Sequence, residues 1–73
     1  MNITLSATFP NQSSLQDFVN RLKFNFSDYK FTENIDSYDQ GDEIILEIKN
    51  VPKELEKNIQ EIVMNCGGRN RVG

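Results

Sequence analysis

Five carboxylates, Glu33, Asp36, Asp39, Asp42 and Glu43, fall within eleven residues that contain no lysine or arginine. Paired acids such as Asp39 and Asp42 are groups that general acid–base catalysis uses, provided a cleft holds them. The same stretch partly imitates a calcium loop, with Asp36 first, Gly41 sixth and Glu47 twelfth. Its third and fifth ligand positions are Tyr38 and Gln40, however, and no helical pattern flanks it. The stretch therefore reads as the solvated tip of a hairpin whose acids can dock a basic partner.

The remaining reactive types are sparse. Cys66 is the single cysteine and the chain has no histidine, so there is no imidazole to activate a nucleophile and no second soft ligand for zinc. Arg71 follows Cys66 by five residues, one short of a tyrosine-phosphatase loop. The helical pattern before Cys66 places the thiol at a negative dipole end, which disfavours thiolate. Cys66 reads as a core residue. Gly67-Gly68-Arg69 follows a helical pattern instead of leading into one, so it reads as a helix stop and not as a phosphate loop. The sequence offers no catalytic residue, no metal ligand set and no cofactor motif.

The elements that position these residues follow from hydrophobic spacing. Ile3, Leu5, Ala7 and Phe9 alternate with Thr4, Ser6 and Thr8, the period of a half-buried strand that Pro10 ends. Ser13-Ser-Leu-Gln16 fits a capping box, and Leu15, Phe18, Val19, Leu22 and Phe26 form the apolar stripe of a helix. Phe24 falls off that stripe. Tyr29 to Tyr38 reads as a second strand, with Tyr29, Phe31 and Ile35 inward and Lys30, Thr32, Asn34 and Asp36 outward. Asp39 to Asp42 is the turn. Glu43 to Val51 is a third strand, apolar at Ile44, Leu46 and Ile48 on one face and at Ile45 and Val51 on the other, which suits a central position. Pro52 opens a last helix with Leu55, Ile59, Ile62, Val63 and Cys66 on one stripe. Gly67 caps it in the left-handed conformation.

These elements predict one α+β domain over residues 1–68, with residues 69–73 as a short flexible basic tail. The architecture is a two-layer β-α-β-β-α sandwich: a three-stranded antiparallel sheet of order 1-3-2 with both helices on one face. It resembles a ferredoxin-like fold lacking its last strand, and the first strand is left as an open edge. On the exposed sheet face stand Thr4, Ser6, Thr8, Lys30, Thr32, Asn34, Ile45, Glu47 and Lys49. No aromatic is placed there, which argues against stacking of single-stranded nucleic acid.

The net charge of −3 keeps a protein in solution and opposes broad binding to a nucleic acid backbone. A lone cysteine fits a reducing cytoplasm, the start lacks the basic residues of a signal peptide, and no apolar run reaches membrane-spanning length. Nine asparagines among many lysines and isoleucines suggest an AT-rich source such as a low-GC bacterium or its phage.

The last helical segment shows Lys53, Glu54, Glu56, Lys57 and Glu61 outward. Its charged face and the element order resemble the DinI-like regulators of the RecA recombinase, a likeness of element order only. That family presents a strongly acidic final helix, and here lysines offset the glutamates. The expectation is a small non-enzymatic protein-binding module, an inhibitor, antitoxin-like or adaptor protein. It would use Thr4, Ser6 and Thr8 for edge pairing, with a protein partner or a second copy, and Asp36, Asp39, Asp42 and Glu43 for electrostatic docking. The alternative is a nucleic-acid-associated accessory protein using Lys30, Lys49, Arg69 and Arg71.

Overall fold

The computed structural model of the protein describes residues 1–71. Strand β1 (Asn2–Phe9) leads into helix α1 (Gln12–Asn25). A 3₁₀ turn (Lys30–Glu33) precedes β2 (Ile35–Gln40) and β3 (Glu43–Pro52). A second 3₁₀ turn (Lys53–Leu55) runs into α2 (Glu56–Asn65), and β4 (Arg69–Asn70) closes the order. The sheet is four-stranded and antiparallel, in the order β2-β3-β1-β4. Three of these strands and both helices stand as the hydrophobic spacing predicts. The fourth strand corrects the expected tail: Arg69 and Asn70 pair with Thr8 and Ala7 and supply the last strand of the ferredoxin-like arrangement. Val72 and Gly73 of that expected tail lie outside the described residues.

One cluster unites both helices with one side of the sheet. It holds Ala7 and Phe9 of β1, Leu46, Ile48 and Val51 of β3, Leu15, Phe18 and Leu22 of α1, and Ile59 and Val63 of α2. Burial of these side chains drives the two layers together. Val51 belongs to this core and is fully buried, where its spacing from Ile45 had placed it on the opposite face. The cause is a bulge. Ile3 and Leu5 pair with Val51 and Ile48, so β3 carries one extra residue there. Asn50 takes φ 61° at that point, which reverses the alternation for the rest of the strand.

Three boundaries also move. Pro52 ends β3 and does not open the last helix, and α2 starts at Glu56 after the 3₁₀ turn. Asn11, not Ser13, caps α1, its Oδ1 accepting the Ser14 N–H at 2.9 Å. The expected second strand begins six residues late. Phe31 and Thr32, which the strand pattern set on opposite faces, are both buried. They form the 3₁₀ turn, closed by the Thr32 hydroxyl donating to the Tyr29 carbonyl at 2.9 Å. Phe26, Tyr29 and Phe31 cluster there, with ring centroids 5.5–5.8 Å apart. At the far end of α2 the Gly68 N–H donates to the Val63 carbonyl at 2.9 Å and the Gly67 N–H to the Met64 carbonyl at 3.2 Å. With Gly67 at φ 80°, this is a Schellman cap, and it turns the chain back along β1.

Candidate docking face

Both helices cover one side of the sheet and leave the other open. Strand pairing alone says which side chains share the open side. Gln40 pairs with Glu43 across the two-residue turn Gly41-Asp42, and Gly41 at φ 65° provides the positive angle that turn needs. Counting back from it sets Tyr38 opposite Ile45 and Asp36 opposite Glu47. On the other side of β3, Ile45 faces Thr8 and Glu47 faces Ser6. Arg69 then stands beside Thr8. Two rows result, Tyr38–Ile45–Thr8–Arg69 and Asp36–Glu47–Ser6, with Lys49 one step beyond Glu47 on β3.

Most of the predicted docking residues thus converge, although they come from three segments. Thr4, Ser6, Thr8, Asp36 and Glu43 share the open side. Asp39 pairs with Ile44 and has the opposite parity, and Asp42 sits in the turn. The four acids therefore do not form one patch at the hairpin tip. Glu43 is moreover paired with Arg69, whose guanidinium reaches diagonally across β1. Asp36 and Glu47 are directly opposed carboxylates, an arrangement that costs stability when nothing bridges them.

Tyr38 corrects a second expectation. The open face does carry an aromatic, half exposed, because β2 runs to Gln40 and places Tyr38 inside the strand instead of at its end. Beside it Ile45 and Thr8 are only 4% and 7% exposed with no helix above them. Tyr38 stands on one flank of this spot and the Arg69–Glu43 pair on the other. Sequence reasoning passed over Tyr38 and the Arg69–Glu43 pair. The signal was present for the first, since a two-residue turn at Gly41 sets the register by counting.

The edge of β1 is not open where pairing was expected. Thr8 and Ala7 are matched by Arg69 and Asn70, and the Arg71 N–H donates to the Ser6 carbonyl at 3.0 Å. Ser6 and Thr8 are covered by the chain itself, because the Schellman cap directs residues 69–71 antiparallel to β1. Thr4 lies beyond this cover. A groove of about 530 Å³ runs alongside it, lined by Ile3, Thr4, Leu5, Gln60 and Arg71 among others. Of the four basic residues of the alternative reading, Lys49 and Arg69 belong to the open face, Arg71 to the β1 edge, and Lys30 to the 3₁₀ turn.

Cys66 ends α2, largely buried. Burial pushes its thiol above the ordinary value, the Asp17 carboxylate adds to this, and Arg21 opposes it. A raised pKa favours the neutral thiol, so the folded chain should react slowly with iodoacetamide at pH 8–9 and quickly once urea unfolds it. The same shift means that the unfolded chain gives up the proton first. Folding stability linked to Cys66 is therefore complete at neutral pH and declines as pH climbs past the ordinary thiol value toward the folded one. Labelling of the native chain at the rate of glutathione would contradict this assignment.

Among the described residues no three His, Cys, Asp or Glu side chains converge as metal ligands would. No described helix is long and apolar enough to cross a membrane. Comparison with protein-family models, curated proteins and solved structures found no match to this chain.

Proposed function

We propose that this chain is a non-enzymatic protein-binding module that docks through the open face of its sheet. The observation that carries the reading is the opposed pair Asp36 and Glu47, placed beside half-exposed Tyr38 on a face that no helix covers. Like charges set directly opposite one another lower stability. A basic group from a partner would relieve that repulsion, and the tyrosine ring offers it a cation–π contact. An inhibitor or adaptor acting in the cytoplasm is consistent with the unpaired, buried Cys66.

The nucleic-acid reading has less support. Its four basic residues do not gather on one surface, Arg69 is engaged by Glu43, and Asp36, Glu43 and Glu47 surround the one exposed aromatic of the face.

The test is a comparison of three immobilised chains, wild type, Asp36→Lys and Tyr38→Ala, in capture from a host lysate. Asp36→Lys should abolish capture of the partner and yet raise stability by about 0.5 kcal/mol, because it turns a repulsive cross-strand pair into an attractive one. The melting temperature should rise by roughly 2–4 °C. Tyr38→Ala should reduce capture as well. Equal capture by all three chains would remove the open face from the function.

A further inference from the structure

Strand β4 is a small element on a large edge. β1 is eight residues long, and β4 pairs with it only at Ala7 and Thr8, with one further hydrogen bond from Arg71 to Ser6. Among the described residues nothing pairs with Asn2 to Leu5 on that side. The Ser6 carbonyl points toward β4, so by alternation the N–H and C=O of Thr4 point outward along the same margin. The groove beside Ile3, Thr4 and Leu5 continues the line that β4 begins. β1 itself carries no charge from Asn2 to Phe9, so nothing on it repels an incoming strand.

The way β4 is held shows what chemistry this edge takes. Arg69 lies on the open side and meets Glu43. Asn70 has the opposite parity, and its side-chain amide donates to the Gln60 carbonyl of α2 at 3.2 Å. Past Asn70, a strand in the same register would turn alternate side chains toward half-buried Leu5 and Ile3, which want apolar cover. Its other side chains would come up beside Ser6, where Glu47 stands across β1, and beside Thr4, where Lys49 stands across β1. A second copy of this chain does not suit the margin. β1 of a second copy carries no basic side chain to set against Glu43 and Glu47. An extended basic segment does.

We propose that the β1 edge is a strand-acceptor site for an extended basic segment of a partner protein. In that segment two basic residues and then an uncharged one stand on the open side, alternating with polar-then-apolar residues on the helix side. Residues 69–71 are the chain's own stand-in, and a longer segment displaces them by adding hydrogen bonds along Thr4 and Asn2. The Arg69–Glu43 pair that retains the stand-in is exposed, so it holds weakly. This inference rests on the reading of the open face as a docking surface, and it adds the partner's conformation and residue pattern.

The experiment titrates the intact ¹⁵N-labelled chain with the capped hexapeptide Arg-Asn-Arg-Val-Ser-Val and with a control bearing aspartate at its two basic positions. The basic peptide should shift the Ser6 and Thr8 amides and slow hydrogen exchange of the Thr4 amide at least tenfold, because strand addition gives that N–H a partner. Arg69→Ala, which loosens the stand-in and frees Glu43 for the peptide's first arginine, should strengthen binding several-fold. The aspartate control should leave all of these signals unchanged. Shifts confined to Asp36, Tyr38 and Glu47, with Thr4 still exchanging freely, would overturn the strand-acceptor site and leave the docking face standing. No shift with either peptide, or equal binding of both, would overturn the site and its proposed pattern.

Discussion

Phe18→Ala should remove a large share of the stability of the fold. Phe18 is fully buried at the centre of the core, its ring centroid 5.2 Å from that of Phe9. Truncating a buried phenylalanine removes its transfer free energy and leaves a cavity, together about 3–5 kcal/mol. A chain of 73 residues has a total stability of about 4–11 kcal/mol. The loss therefore takes from about a quarter of that total to all of it. Far-UV circular dichroism with urea titration reads it directly. Phe24→Ala, six residues along the same helix at 86% exposure, provides the control and should change stability by less than about 0.5 kcal/mol. Similar urea midpoints for the two variants would mean that the core does not lie where the two layers meet.

Gly68→Ala is the second large effect, and its cause is space. A Cβ at this position would come 2.6 and 2.8 Å from two ring carbons of Phe9 and 3.0 Å from Val63 Cγ1. Phe9 is fully buried and cannot swing aside, so the backbone at the end of α2 must move. Overpacking of this kind costs about 1–3 kcal/mol, and each kcal/mol lowers the melting temperature by roughly 4–8 °C in a domain of this size. Gly67 differs, since a Cβ there meets only Ser14 Oγ at 3.7 Å and the constraint is its positive φ. Introducing Phe9→Leu beside Gly68→Ala should recover part of the loss, so the two changes together cost less than their sum. Strict additivity would show that the ring and the glycine do not compete for one volume. Because residues 69–71 hang from this glycine, Gly68→Ala should also disturb their pairing with β1.

The parts of this architecture that were legible beforehand are those with a long, regular period. β1, α1, β3 and α2 each bury a continuous stripe, and spacing alone identifies such stripes. The second strand misled because aromatic residues favour strands in general. Tyr29 and Phe31 instead pack on Phe26, and tertiary contact overrode the local preference. β4 has no such signal. Arg69-Asn70 is polar, is two residues long, and becomes a strand only because the glycine pair aims it at β1. The open face lay between these cases. Its β1 and β3 members were readable from alternation, whereas Tyr38 and the Asp36–Glu47 opposition required the hairpin register. Val51 could not be placed from spacing, since a bulge changes parity without leaving an apolar gap.

The left-handed angle at Asn50 has one more effect. Asparagine tolerates φ near 60°, but its surroundings do not share that tolerance. Shift β3 by one position toward its start or its end and the kink falls on Lys49 or on β-branched Val51. Shift it by two and it falls on Ile48 or on Pro52, whose ring forbids a positive φ altogether. The kink works as a key cut for a single alignment, so β1 and β3 zip together in one frame and sliding pairs are rejected while the chain is still folding.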